Sequence, residues 1–153
     1  MIEQIDHVNL VVRNLAAMTE FYRNVLGFGF TKSVTISGPW IDAVVGLTDV
    51  LADVVYLELP NGPRVELIHY ERPASSQAQD PSLPNVLGLR HLAFCVSDIE
   101  EAVARLERAG VRPNSSIATV PRSQVQYADG AKKRLVYFHD PEGNLLELCE
   151  YKT

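Results

Sequence analysis

The sequence predicts an α+β fold built from two tandem copies of one strand–helix–strand–strand–strand module. Two matched blocks and one shared local grammar carry that reading. Residues 7–14 (HVNLVVRN) open one segment and residues 91–98 (HLAFCVSD) open another, at an offset of 91 − 7 = 84. In each, apolar residues follow a histidine and an Asn or Asp stands seven positions on. The segment ends match too: Pro60-Asn61-Gly62 precedes Arg64-Val65-Glu66-Leu67-Ile68, and Pro141-Glu142-Gly143 precedes Asn144-Leu145-Leu146-Glu147-Leu148, at an offset of 147 − 66 = 81. Matched blocks in the same order at nearly equal offsets are the signature of an internal repeat. Residues 1–70 and 88–153 read as the two modules of one domain spanning 1–153, and the Pro-, Ser- and Gln-rich stretch 71–87 reads as their linker.

The elements follow in order. Asp6–Val12 and Arg90–Val96 read as the opening strands. In the first module Asn14 is an N-cap, able to accept an orphan backbone N–H. Leu15, Met18, Phe21, Tyr22, Val25 and Leu26 then recur at three and four as one apolar helical face, and Gly27 supplies the stop. In the second, Asp98 and Glu101 form a capping-box pattern, Ile99, Ala102, Val103 and Leu106 make the stripe, and Gly110 ends it. Val54–Leu59 with Arg64–Tyr70, and Arg134–His139 with Asn144–Tyr151, read as hairpins around Pro/Gly turns. A weaker strand precedes each, near Phe28–Ile36 and Ser115–Val120. Residues 37–49, with Trp40, have no counterpart in the second module; they read equally as a lid or as a short packing helix.

Composition narrows the function. The chain has 153 residues, 46% hydrophobic and 22% charged, which excludes disorder, collagen and coiled coil. Its apolar runs are too short to span a bilayer, and its first residues do not resemble a signal peptide. Two cysteines do not make a disulfide framework, and a net charge of −5 disfavours a nucleic-acid partner. The expectation is a cytoplasmic protein acting on a small molecule, with no membrane association.

Strand alternation then groups the polar residues. Val8, Leu10 and Val12 suit packing under the first helix, while His7 and Asn9 share the other face with Val11. Leu92, Phe94 and Val96 repeat the pattern against His91, Ala93 and Cys95. Glu66 groups with Ile68 and Tyr70, and Glu147 with Cys149 and Tyr151. Each module thus places one His and one Glu on strands, facing away from its helix. A carboxylate among Val, Leu and Ile is costly unless it is paired or metal-bound. Two imidazoles and two carboxylates suit one divalent first-row ion, such as Zn, Ni, Co, Mn or Fe(II), rather than calcium. The expected ligands are His7, Glu66, His91 and Glu147.

In its Ile5-Asp6-His7-Val8, Phe21-Tyr22-x-x-Val25-Leu26-Gly27-Phe28, Arg90-His91-Leu92-Ala93-Phe94 and Asp140-Pro141-Glu142-Gly143-Asn144-x-x-Glu147-Leu148 motifs, the chain resembles the vicinal oxygen chelate proteins. That superfamily includes glyoxalase I, methylmalonyl-CoA epimerase, extradiol dioxygenases and bleomycin or fosfomycin resistance proteins. The resemblance implies two βαβββ modules whose eight strands curl into a half-open cup with helices outside, holding a metal at those four positions and no organic cofactor. It allows a cup closed within one chain, which the long linker favours, and a homodimer formed by the outer edges.

Four protein ligands on a six-coordinate ion leave two neighbouring sites for two oxygens of one substrate. That arrangement leads to a glyoxalase I-like lyase/isomerase or an epimerase, with Glu66 and above all Glu147 as the catalytic proton carriers. The alternative is a ferrous extradiol dioxygenase using His7, His91 and Glu147, with Glu66 unligated. A third is a metal-free, drug-sequestering resistance protein. The chain departs from glutathione-type glyoxalases outside His7, and methylmalonyl-CoA epimerases carry an amide where Glu66 stands. The cluster Lys132-Lys133-Arg134, with Arg122 upstream, reads as solvated charge rather than an anion site. Tyr56, Tyr70, Tyr127 and Tyr137 read as packing residues, Cys95 and Cys149 as small thiols facing the cup, and His69 and His139 as non-ligands.

Overall fold

A computed structural model describes residues 4–76, 80–85, 87–125 and 127–153. The chain divides into two compact units, residues 1–77 and 78–153. Of the expected linker, residues 71 and 72 complete a strand, and residues 77–79 and 86 lie outside the described residues, as do residues 1–3. Each unit contains a four-stranded mixed sheet, giving the α+β class.

In the first unit, β1 (His7–Val11), β2 (Gly29–Ser37), β3 (Leu51–Glu58) and β4 (Arg64–Arg72) pair in the order β1-β4-β3-β2. β1 runs parallel to β4 and the other pairs are antiparallel. Helix α1 (Leu15–Glu20) starts where expected, with the Asn14 side chain accepting from Ala17 N at 3.0 Å. It does not continue as an α-helix to Gly27. Phe21–Val25 form a π-helical turn, closed by Leu26 N donating to Phe21 O at 3.2 Å. The wider turn keeps Phe21 and Tyr22 both buried, edge-on to each other at 5.7 Å, with Phe28 packed edge-on against Tyr22 at 5.6 Å. These rings and Met18 cover the sheet face of Val55, Leu57, Val65 and Leu67. Each such side chain contributes about 1.5–3 kcal/mol of burial.

The segment 37–49 forms a short helix, α2 (Pro39–Val45), begun by a proline and ended by Gly46 at φ 71°. The packing reading is the correct one for its inner side. Ile41, 6% exposed, joins Val50, Ala52, Val54 and Ile68 in a second apolar cluster. Ala52, Val54 and Ile68 lie on the sheet face opposite α1, the face that also carries Glu66. Asp42 secures the return, its carboxylate accepting from Val50 N at 2.8 Å and Asp49 N at 3.1 Å.

In the second unit, β5 (His91–Cys95), β6 (Ala118–Thr119), β7 (Lys132–His139) and β8 (Leu145–Lys152) pair in the order β5-β8-β7-β6, again with the first pair parallel. The weak strand expected over 115–120 is trimmed to two residues. Helix α3 (Ile99–Arg108) buries Ile99 and Leu106. Asp98 accepts from Glu101 N at 2.9 Å, but the Glu101 carboxylate takes Arg108 at 2.7 Å, so only one side of the capping box is used in this way. The buried Glu150 ties helix to sheet, accepting from Ile99 N at 3.3 Å and from Arg134 Nε at 2.8 Å. Burial alone would push its carboxyl up; the bonds from Arg134, Lys152 and Ile99 outweigh that and hold it low. Arg134 also forks onto Glu100 of α3.

The β7–β8 turn sets the position of Glu147. Asp140 is buried and accepts from Glu142 N, Asn144 N (both 3.0 Å) and Asn144 Nδ2 (2.8 Å), while Gly143 takes φ 85°. Because side chains alternate, a one-residue slip there would turn Glu147 onto the helix face.

Ile41→Ala should lower stability by about 2–4 kcal/mol in urea titrations. Trp40→Ala, at a side chain 59% exposed, should change it by less than about 0.5 kcal/mol. A second test uses pH. Arg134 holds the Glu100 carboxyl at about 2. The folded-state value lies below the ordinary 4.5, so the stabilisation is present above about pH 4.5 and lost as pH falls towards 2. Arg134→Met should lower stability near neutrality and flatten this acid limb of the stability–pH curve.

Candidate functional site

Strand pairing places a His and a Glu at the same register in both units. His7 stands opposite Arg64 and Asn9 opposite Glu66. His91 stands opposite Leu145 and Ala93 opposite Glu147. Each Glu therefore lies on the neighbouring parallel strand, two residues further along than its His and on the same face. The environments of the two carboxylates differ.

In the second unit Glu147 is only 3% exposed. His91 Nε2 lies 3.2 Å from Glu147 Oε2. Lys133 Nζ lies 2.7 Å from Oε1, an ion pair by distance, but out of line for a hydrogen bond, so that buried oxygen accepts none. Burial alone would lower the Lys133 pKa; the adjoining carboxylate reverses this and holds the ammonium above its usual value. Tyr137 stands opposite Glu147. Its pKa is raised, first by burial and then by the Glu147 charge. The Tyr137 and His91 rings are 5.1 Å apart. Cys149 follows on the same face, opposite Cys95 of β5. Burial first, and then Cys95, push its thiol up, which favours the protonated, unreactive form.

In the first unit Glu66 Oε1 accepts from Asn9 Nδ2 at 2.6 Å. Tyr56 stands opposite Glu66; burial first, and then the adjoining Glu66 carboxylate, raise its pKa. Lys32 and Arg64 flank the Tyr56 ring at 4.8 and 5.9 Å. His7 Nδ1 is 2.8 Å from Asp6 Oδ2, and a carboxylate can only accept, so Nδ1 donates and Nε2 is left pointing away from that bond. Arg64 Nη2 holds both Asp6 oxygens, at 2.8 and 2.7 Å. The bonds from His7 and then Arg64 keep the Asp6 carboxyl below its usual range.

Several expectations are revised. Lys132-Lys133-Arg134 is not one solvated cluster: Lys132 is exposed, but Lys133 reaches Glu147 and Arg134 reaches Glu150 and Glu100. Arg122 donates to Gly130 O at 2.6 Å. Tyr56 and Tyr137 do more than pack, since each stands opposite its unit's Glu, which raises its pKa. The repeat offers the signal for them, because 137 − 56 = 81 equals 147 − 66 = 81. Cys149 is buried while Cys95 is exposed. His69 and His139 donate to the carbonyls of Val12 (3.0 Å) and Ser82 (3.3 Å). Among the described residues, no three His, Cys, Asp or Glu side chains gather as a metal-holding group. Among them, too, no helix is long and apolar enough to cross a membrane.

Two four-stranded units with a His and a Glu in one register define a protein of the vicinal oxygen chelate type. The family model "Glyoxalase/Bleomycin resistance protein/Dioxygenase superfamily" matches residues 4–148, and the chain belongs to that superfamily. It is 32% identical over 149 residues to a protein of Escherichia coli (strain K12) called "Uncharacterized protein YaeR", covering 97% of each chain. It is 31% identical over 112 residues to the ethylmalonyl-CoA/methylmalonyl-CoA epimerase of Cereibacter sphaeroides, covering 73% of this chain and 75% of that one. Among solved structures it is similar to a glyoxalase family protein from Bacillus cereus, with TM-score 0.84 and 27% identity, covering 100% of this chain and 97% of the other.

Proposed function

We propose that the chain is a divalent-metal-dependent enzyme that transfers a proton next to a carbonyl, as a glyoxalase I-like lyase/isomerase or an epimerase does. The observation that carries this reading is the repeated register of one His and one Glu. His7, Glu66, His91 and Glu147 are the proposed ligand set. The donors fit such an ion. His7 has its Nδ1 tied to Asp6, the usual companion of an Nε2 ligand, and Glu147 has a buried oxygen that accepts no hydrogen bond. The epimerase relative supports the proton-transfer class. A bound divalent ion would supply Lewis-acid stabilisation of developing enolate charge.

The chain's own residues supply the rest. Glu147 takes the proton from carbon and returns it. Tyr137, opposite Glu147, and His91, 3.2 Å away, border that carboxylate. Asn9 holds Glu66 by a 2.6 Å bond. The substrate is a small carbonyl compound.

Metal analysis of the purified protein and a screen of hemithioacetals and acyl-CoA epimers test this. His7→Ala and His91→Ala should lose metal. Glu147→Gln should bind metal measurably but more weakly, with turnover reduced about 10²–10⁴-fold. Metal-stripped protein that retains isomerase activity would overturn the reading.

The Asn9–Glu66 bond of 2.6 Å favours a second reading, in which Glu66 is no ligand and His7, His91 and Glu147 form the facial triad of a ferrous ring-cleaving dioxygenase. In that case Glu66→Gln should leave iron content and catechol-dependent oxygen uptake unchanged. On the first reading the same variant should weaken metal binding, and catechols should drive no oxygen uptake.

A further inference from the structure

We propose that Lys133 is a built-in cation that competes with the metal for Glu147, which makes Glu147 the ligand that leaves. The inference rests on the metal-dependent reading above and assigns a role to a residue outside the ligand set.

Lys133 lies near the start of β7, opposite Tyr151 of β8. Its side chain is 17% exposed and runs along the face that carries Glu147. The ammonium reaches to 2.7 Å from Glu147 Oε1 and 5.9 Å from the Tyr151 ring centroid. The two Glu147 oxygens are thus divided, Oε2 towards His91 and Oε1 towards Lys133. Because Lys133 is out of line for a hydrogen bond to Oε1, charge rather than bond geometry holds the pair together. A lysine also has a flexible stem and three rotating donors, so it can follow or release a moving carboxylate.

The strand itself does not require a cation here. The repeat places Lys133 at the position of Ala52 in the first unit, since 133 − 81 = 52, and Ala52 is buried against Ile41. Ala52 stands in the corresponding place beside Glu66, whose oxygen accepts from the neutral Asn9 amide. The two carboxylates are therefore unequal. An ion liganded by Glu147 must share that carboxylate with a positive charge at contact distance, and in a half-buried site the repulsion is weakly screened. It binds less tightly for that reason. When the carboxylate swings off the ion, the ammonium receives it. Lys133 is a positioning residue for Glu147, and Glu66 is the fixed ligand.

The test measures metal binding directly. Metal-stripped wild type, Lys133→Met, Lys133→Gln and Lys133→Arg are titrated with Mn²⁺ and Co²⁺ by calorimetry, with circular dichroism as the check on folding. Lys133→Met and Lys133→Gln should bind about tenfold or more tightly than wild type, and Lys133→Arg, which keeps the charge, should match wild type. On a Glu147→Gln background, Lys133→Met should change nothing. A lysine with a merely structural role would give the opposite sign, weaker binding on its removal. If both neutral variants bind no more tightly than a wild type that does bind metal, this inference fails and the metal-dependent reading stands. If no form binds metal, both fail.

Discussion

A carboxylate in the middle of a buried strand must be neutralised where it stands, and Glu147 is such a group. It sits between Leu146 and Leu148 in β8, 3% exposed. Leaving a buried charge unmatched costs several kcal/mol. The second unit is arranged around that requirement. The buried Asp140 fixes the turn that gives β8 its register, which brings Tyr137 across from Glu147 and His91 alongside it. Lys133 supplies the compensating charge. On the opposite face Glu150 presents the same problem and meets it with Arg134, Lys152 and the N-terminus of α3.

The two units answer this constraint differently, although they share a backbone plan. The first meets Glu66 with the neutral Asn9 amide and places Arg64 on Asp6, and so indirectly on His7. It covers the neighbouring part of the face with an inserted helix, whose Ile41 lies against Ala52. Among the described residues the second has no such helix; the repeat aligns Lys133 with Ala52. Ala93 aligns with Asn9, so that position offers Glu147 no amide, and His91 and Lys133 lie at 3.2 and 2.7 Å from it. Duplication supplies the scaffold, and substitutions at two aligned positions separate the chemistry of its halves.

Much of this was legible in the sequence because it depends on period and spacing. Alternation sorted His7 and His91 from Val8 and Leu92, and the turn residues bounded the hairpins. The Asn14 and Asp98 caps were readable from residue type alone. The π turn at Phe21–Val25 was not, since apolar residues at three and four fit an α-helix equally well. Lys133 was misread for a physical reason. A lysine flanked by Lys132 and Arg134 looks solvated until strand pairing shows that it shares a face with Glu147, while Arg134 points to the other.

The same geometry bears on which carboxylate moves a proton. A group that alternates between ligand and base needs a second stable position close to the first. Glu66 is gripped by a 2.6 Å bond from Asn9, which must break before it turns. Glu147 has one oxygen bound by no hydrogen bond and an ammonium 2.7 Å from it. Its alternative position is therefore already provided by the chain. The asymmetry between an amide partner and an ammonium partner, rather than any difference between the two glutamates themselves, makes Glu66 the anchor and Glu147 the carrier.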